Sequence, residues 1–156
     1  MKRILVLTAL STLMACGGGF EAEHQKMVEE YDIHKANVQQ LHEQYESRLQ
    51  EYQQARKYHE ERAGGSDDSL HTAINEMHDG LLLNHEAFRA QHPDILKQLD
   101  GLEARHTVKD YPQDSIRADH QYMLHELKTI EQQYQGMNDE FNQMMDEQTG
   151  MAKKHQ

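Results

Sequence analysis

Large side chains recur at every seventh position along three successive segments of this chain, and this recurrence limits what it can fold into. A seven-residue period keeps one face of an α-helix against its neighbour, so it predicts helices packed as in a coiled coil. The recurring residues of the three segments are, in order, His24, Tyr31, Val38, Tyr45, Tyr52 and His59; His71, His78, His85, His92, Leu99 and His106; and Ile116, Met123, Ile130, Met137, Met144 and Met151. The chain is therefore predicted to be all-α.

Glycine and proline mark the ends of the predicted helices. Gly64 and Gly65 separate the first segment from the second, Pro93 interrupts the second, and Pro112 opens the third. The predicted fold is an elongated antiparallel bundle of three long helical arms, about 20–63, 67–106 and 112–150, with the second arm broken at Pro93. Residues 20–152 are expected to form one bundle domain. The chain has no Trp and only 37% hydrophobic residues, which suits a slim bundle and excludes a large β-rich enzyme core.

The glycine turn also predicts which residues face each other. The recurring residues of each arm form its seam, the line along which it contacts the other arms. If the first two arms fold back symmetrically about Gly64 and Gly65, seam residues equally distant from the turn become neighbours. The predicted pairs are His59 with His71, Tyr52 with His78, Tyr45 with His85, Val38 with His92, Tyr31 with Leu99, and His24 with His106. The third arm should run alongside this seam.

The first residues have the features of a secretory signal peptide. Lys2 and Arg3 give a positive start, and 4–14 is a short apolar run, too short to span a bilayer as a helix. Residues 1–15 are therefore expected to be removed. Leu13-Met14-Ala15-Cys16 resembles the lipobox of bacterial lipoproteins, and Cys16 is the only cysteine of the chain.

This resemblance implies a location and a modification. In bacterial lipoproteins the chain is cleaved before the cysteine, and its sulfur and new amino group receive acyl chains, which together hold a protein on a membrane. Cys16 is thus the expected lipidation site, and residues 16–19 are expected to be the lipidated cysteine followed by a glycine tether, Gly17 to Gly19. Gly17, rather than Asp, follows Cys16, which by resemblance to enterobacterial lipoproteins implies the outer membrane of the bacterial cell envelope.

The net charge of the chain limits the kinds of molecule that it is expected to bind. The chain carries 27 acidic and 16 basic residues, a formal net charge of −11, which argues against nucleic acid as an electrostatic partner. The expected partners are the membrane, through the lipid anchor, and either an envelope protein or a second copy of the chain.

The twelve histidines admit three interpretations. The first is structural, because a seam histidine opposite a tyrosine can pack its ring and make a buried hydrogen bond. The second is pH sensing by His71, His78, His85 and His92, since protonation of buried imidazoles would load the core with charge and loosen the bundle. His34, His42 and His125 are expected to be solvated.

The third interpretation is metal binding between helices. No two histidines lie three or four residues apart, so no local chelate is present. The predicted pairing instead brings together two Glu-x-x-His motifs, Glu21 with His24 and Glu103 with His106, and His120 of the third arm could reach them. These five residues are the candidate metal ligands, with zinc or copper as the ion, because imidazole and carboxylate suit both.

Catalytic signatures are missing from the sequence. It contains no nucleophile elbow, phosphate loop, cysteine–histidine pair or dinucleotide fingerprint, so no catalytic residues and no enzyme activity are expected. The favoured interpretation is a membrane-anchored envelope lipoprotein with a structural or protein-interaction role and no cofactor. The alternative is a periplasmic histidine-based protein that binds zinc or copper or responds to pH.

Overall fold

The computed structural model describes residues 18–63 and 69–154, which are helical apart from two short connections. The helices are α1 (Gly18–Ala63), α2 (Ser69–Arg89), α3 (His92–Arg105) and α4 (Gln113–Lys154). α1 and α4 pack against each other along most of their lengths, and α2 and α3 together form the remaining arm. The predicted all-α bundle of three arms is confirmed.

The second arm is interrupted at residues 90–91, just before Pro93. Proline has no backbone N–H and its ring clashes with the preceding turn, so a helix cannot pass through it undisturbed. The Gln91 N–H donates to the Phe88 carbonyl at 3.1 Å, which tightens the last turn of α2. The Ile95 N–H then donates to the Gln91 carbonyl at 3.2 Å and restarts the helix. The predicted break is confirmed.

Two predicted helix ends are wrong. α1 begins at Gly18, so Gly18 and Gly19 belong to a helix and not to a tether; the rest of the predicted tether lies outside the described residues. α4 passes through Gly150 and ends at Lys154. A glycine inside a helix costs only about 1 kcal/mol, and the burial of Met151 beyond it outweighs that cost.

The side-chain contacts define how the helices run. α1 and α4 are parallel, while α2 and α3 are antiparallel to both. The contacts that show this are Glu23–Arg117 at 2.8 Å and Glu30–Lys128 at 3.4 Å for α1 with α4, and His78–Glu147 at 2.7 Å and His85–Glu140 at 2.5 Å for α2 with α4. The start of α1, the end of α3 and the start of α4 therefore meet at one end of the bundle.

The core is a column of rings and thioethers along the three arms. α4 contributes two residues per heptad, because it packs against both other arms, whereas α1 and the α2–α3 arm contribute one fully buried residue each. Four of the predicted pairs make measured ring contacts. Their centroid separations are 5.0 Å for His59–His71, 5.5 Å for Tyr52–His78, 5.7 Å for Tyr45–His85 and 5.4 Å for His24–His106. The predicted register of the first two arms is thus confirmed at both ends.

Candidate metal centre

Three histidines from three helices meet at the end of the bundle where α1 and α4 begin. His24 lies in the second turn of α1, His106 caps the end of α3, and His120 lies in the second turn of α4. The seven-residue repeat places the three histidines at the same level along the bundle, that is, in one layer of side chains. His24 and His106 occupy the recurring seam positions of their arms. His120 lies on α4 between the buried positions Ile116 and Met123.

The three imidazoles converge closely. One ring nitrogen from each histidine lies within 4.8 Å of those of the other two. The ring centroids are 5.4 Å apart for His24 and His106, 5.2 Å for His24 and His120, and 4.8 Å for His106 and His120. This is the one group of three or more potential ligand side chains found in residues 18–63 and 69–154.

Several nitrogens in this cluster lack hydrogen-bond partners. His24 Nε2, His106 Nδ1 and both ring nitrogens of His120 are buried without a partner among the described residues. His120 is only 1% exposed. Burial, followed by repulsion from His106 and His24, lowers the pKa of His120 to about 4, so its ring is neutral at neutral pH. A neutral imidazole with a free lone pair is the form that binds a metal ion.

A carboxylate orients one of the three rings. Asp119 accepts a hydrogen bond from His106 Nε2 at 3.3 Å and another from the Tyr111 hydroxyl at 2.9 Å. Because Nε2 carries the donated proton, Nδ1 of His106 is left as the lone-pair atom, and it is buried without a partner within the described residues. Metal-ligating histidines commonly donate their other nitrogen to a carboxylate in this way, which fixes the ring and raises its basicity.

An ion pair closes the outer side of the cluster. Arg117 donates two hydrogen bonds to the Glu23 carboxylate, both at 2.8 Å, and its guanidinium lies 4.9 Å from the centre of the Phe20 ring. The Phe20 ring stacks on His24 at 5.8 Å. These contacts join α1 to α4 beside the histidines and limit how far His24 can move.

The two predicted glutamate ligands do not belong to this cluster. Glu21 is exposed, and Glu103 is absent from the group of converging ligand atoms in the part of the chain that the structure describes. Residues three apart in a helix lie only about 60° apart around its axis, so each glutamate starts on the same side of its helix as the histidine. Glu21 nevertheless lies at the solvent edge of that side, where it is exposed. The carboxylate beside the site is Asp119, which the sequence analysis missed because nothing in its local sequence distinguishes it from other surface acids.

The four proposed pH-sensing histidines are all buried. Three of them have a polar partner on α4. His78 bonds Glu147 at 2.7 Å, His85 bonds Glu140 at 2.5 Å, and His92 bonds Gln133 at 2.8 Å, each through Nε2. His71 packs against His59. His78 and His85 thus have carboxylate neighbours, whereas His92 has a neutral amide. Burial lowers the pKa of His92, whose partner is an amide.

Two histidines expected to be solvated have polar partners on α4, although His42 is itself exposed as predicted. His34 Nδ1 lies 2.8 Å from Glu131, and His42 Nδ1 lies 2.9 Å from the Tyr134 hydroxyl. Both contacts join α1 to α4, which the sequence could not indicate without the register between those arms. His125 is exposed as predicted.

Comparison with known proteins gives no independent indication of function: no family model, curated protein or solved structure matches the chain. None of the helices within the described ranges is long and apolar enough to cross a membrane. Cys16 and the predicted signal peptide lie outside those ranges.

Proposed function

We propose that this chain is a lipid-anchored protein of the bacterial cell envelope whose bundle binds a zinc ion through His24, His106 and His120. The observation that carries the proposal is the convergence of three imidazoles whose inward nitrogens have no partner in the described structure. Buried polar atoms are normally paired, so an unpaired group of this kind indicates a missing partner. A metal ion satisfies all three nitrogens at once.

Ring movements alone would give the cluster the dimensions that zinc requires. Zn–N bonds of about 2.0–2.1 Å and tetrahedral angles put ligand nitrogens roughly 3.3 Å apart. The three nitrogens lie within 4.8 Å of one another, so ring rotations that bring them closer by up to about 1.5 Å suffice. Three histidines leave one position of a tetrahedral ion for water or another ligand. Copper, which imidazole also suits, is the comparison ion.

Calorimetry tests the metal site directly. The protein is residues 16–156 with Cys16→Ser, which removes the only thiol and leaves every described residue unchanged. We expect one zinc ion to bind per chain at micromolar concentration or below. His106→Gln should abolish binding, whereas His125→Gln, at an exposed position, should leave it unchanged. Equal binding by wild type and His106→Gln would refute the site, as would the absence of any binding at micromolar zinc.

The anchor is tested separately. Support for it comes from the lipobox-like residues 13–16. Since α1 begins at Gly18, His24 lies roughly 9 Å along the helix from its first residue, so an anchor at Cys16 would hold the histidine cluster near the membrane. Mass spectrometry of the protein from membranes should show residues 1–15 removed and acyl chains on Cys16. A bare sulfur with residues 1–15 still attached would refute the anchor and leave the metal proposal intact.

A structural or protein-interaction role is the second candidate, and exposed apolar side chains on α2 support it. Leu83 is 67% exposed, and Met77 and Phe88 on the same helix are also exposed. A photo-crosslinking residue at position 83 should form one defined adduct in cells, and the same residue at exposed Gln135 should not. Equal or absent adducts at both positions would count against this role.

A further inference from the structure

One layer of the seam is missing a ring. The buried seam residues of α1 from 31 to 52 are Tyr31, Val38, Tyr45 and Tyr52, so valine stands once where the other layers have tyrosine. A cavity of about 360 Å³ lies at this layer and is lined by Val38, His92, Tyr134, Leu96, His42 and Arg89, among others. Its volume is in the lower part of the roughly 300–1,000 Å³ range of small-molecule pockets.

The same layer is also missing a hydroxyl. His92 is 4% exposed, and its Nδ1 has no hydrogen-bond partner within the described residues. Two layers away, the Tyr52 hydroxyl lies 3.0 Å from Nδ1 of His78. The Val38 layer therefore lacks the phenol ring of the Tyr45 and Tyr52 layers and the hydroxyl contact of the His78 layer. In the Tyr45 layer the ring is present, but Nδ1 of His85 has no partner among the described residues.

The tautomer of His92 defines what an occupant must offer. The Gln133 side-chain oxygen accepts a hydrogen bond from His92 Nε2 at 2.8 Å, so Nε2 carries the proton and Nδ1 is an acceptor. His78 and His85 face carboxylates on α4 instead. An occupant that satisfies His92 Nδ1 must donate a hydrogen bond.

The charges at the rim do not select an ion. Lys35 pairs with Asp100 at 2.5 Å, and Arg89 pairs with Glu46. Each cation therefore already has a carboxylate. The interior surface comes from Val38, Leu96 and the Tyr134 ring, whose hydroxyl is already bonded to His42. The cavity combines an apolar interior and aromatic edges with one buried acceptor, His92 Nδ1, and one buried donor, Arg89 Nε, which has no partner within the described residues. A hydroxyl can donate to the first and accept from the second.

We propose that the Val38–His92 cavity binds a small monocyclic phenol, with the ring in the position that tyrosine occupies in neighbouring layers and the hydroxyl donating to His92 Nδ1. The volume leaves room for an apolar substituent on the ring. The site lies about halfway along the length of the bundle. This proposal does not depend on metal binding at the histidine cluster.

The test uses p-cresol, which has the ring and hydroxyl of a tyrosine side chain, and 4-methylanisole, which has the same ring but cannot donate a hydrogen bond. The protein is residues 16–156 with Cys16→Ser. NMR titration should show saturable one-to-one binding of p-cresol, with nuclear Overhauser effects between its ring protons and the Val38 methyl groups. p-Cresol should bind at least tenfold more tightly than 4-methylanisole.

Two variants test separately the space that the phenol ring occupies and the hydrogen bond that its hydroxyl donates. Val38→Tyr should fill the cavity and abolish binding of both compounds, whereas Val108→Tyr, which adds the same side chain at an exposed position, should not. His92→Leu should bind the two compounds equally, and it keeps the proposal testable if Val38→Tyr does not fold. The proposal is overturned if p-cresol shows no saturable binding at millimolar concentration, if Val38→Tyr folds and binds it unchanged, or if His92→Leu retains the preference.

Discussion

Replacing His120 with leucine should make the metal-free protein more stable. The His120 ring is 1% exposed and both of its nitrogens are buried without a partner among the described residues. An unsatisfied buried polar group costs about 1–3 kcal/mol. Leucine has a similar volume, and a mismatch of shape in a core costs less than about 1.5 kcal/mol. The free energy of unfolding of His120→Leu should therefore rise by about 1–2 kcal/mol without metal.

The same substitution should remove stabilisation by zinc. A ligand present at 100 times its dissociation constant stabilises the folded state by about 2.7 kcal/mol. Wild type should gain this amount when zinc is added after removal of metal with a chelator, and His120→Leu should gain little. For a chain of this size, 1 kcal/mol corresponds to roughly 2–4 °C in Tm, so thermal denaturation followed by circular dichroism resolves both effects.

A partnered seam histidine provides the matched control. His78 bonds Glu147 through Nε2, and its Nδ1 lies 3.0 Å from the Tyr52 hydroxyl. His78→Leu breaks both contacts and should lower the free energy of unfolding by about 1–3 kcal/mol with or without zinc. The reasoning fails if His120→Leu destabilises the metal-free protein as much as His78→Leu does, or if zinc stabilises both variants equally.

Three further predictions use other parts of the bundle. Gly136→Ala should raise the free energy of unfolding by about 0.5–1 kcal/mol in urea denaturation, because Gly136 is inside α4 and an added Cβ meets no atom within 4 Å; no gain would contradict this. Tyr52→Phe should lower it by about 1 kcal/mol through loss of the hydroxyl beside His78, and an unchanged urea midpoint would count against that contact. Burial lowers the pKa of His92, so below about pH 6.5 the unfolded chain binds a proton that the folded chain does not, and stability falls. His92→Leu should show a smaller fall in Tm between pH 7 and pH 5 than wild type, and an equal fall would refute this assignment.

The sequence predicted the architecture because, in this fold, the position of a residue in the seven-residue repeat decides whether its side chain is buried. The seven-residue spacing identified the seam, and Gly64, Gly65, Pro93 and Pro112 identified the breaks. Because the first two arms are joined by a short turn, symmetry about that turn was enough to pair residues such as Tyr52 with His78. The exact helix ends were less predictable, since a glycine such as Gly150 only weakens a helix and the packing of its neighbours decides whether it ends.

The site was only partly predictable, because its polar contacts depend on the register of α4. The layer of His24, His106 and His120 followed from seam positions, and the structure brings all three together. Asp119 could not be identified without knowing which residue of α4 faces His106. Glu21 and Glu103 were predicted from a local motif, which places a glutamate near its histidine on one helix but does not decide whether the carboxylate turns to the cluster or to solvent.

One rule for the register of α4 accounts for the buried histidine partners. The bonded pairs are His78–Glu147, His85–Glu140, His92–Gln133 and His106–Asp119, and in each the two residue numbers add up to the same value. Such a constant is the signature of antiparallel helices with a shared heptad. Three of the four partners are carboxylates and one is an amide. The amide occurs in the layer where Val38 stands in place of a tyrosine. His92 therefore has an amide on α4 and a valine on α1, where His78 has a carboxylate and a tyrosine. The break between α2 and α3 at residues 90–91 lies at this same layer, and Arg89 and Pro93 on either side of it line the cavity. Because the His92–Gln133 pair still has the same sum as the others, the register with α4 is kept across the break, and the cavity combines the interruption of the arm with the smaller side chain of Val38.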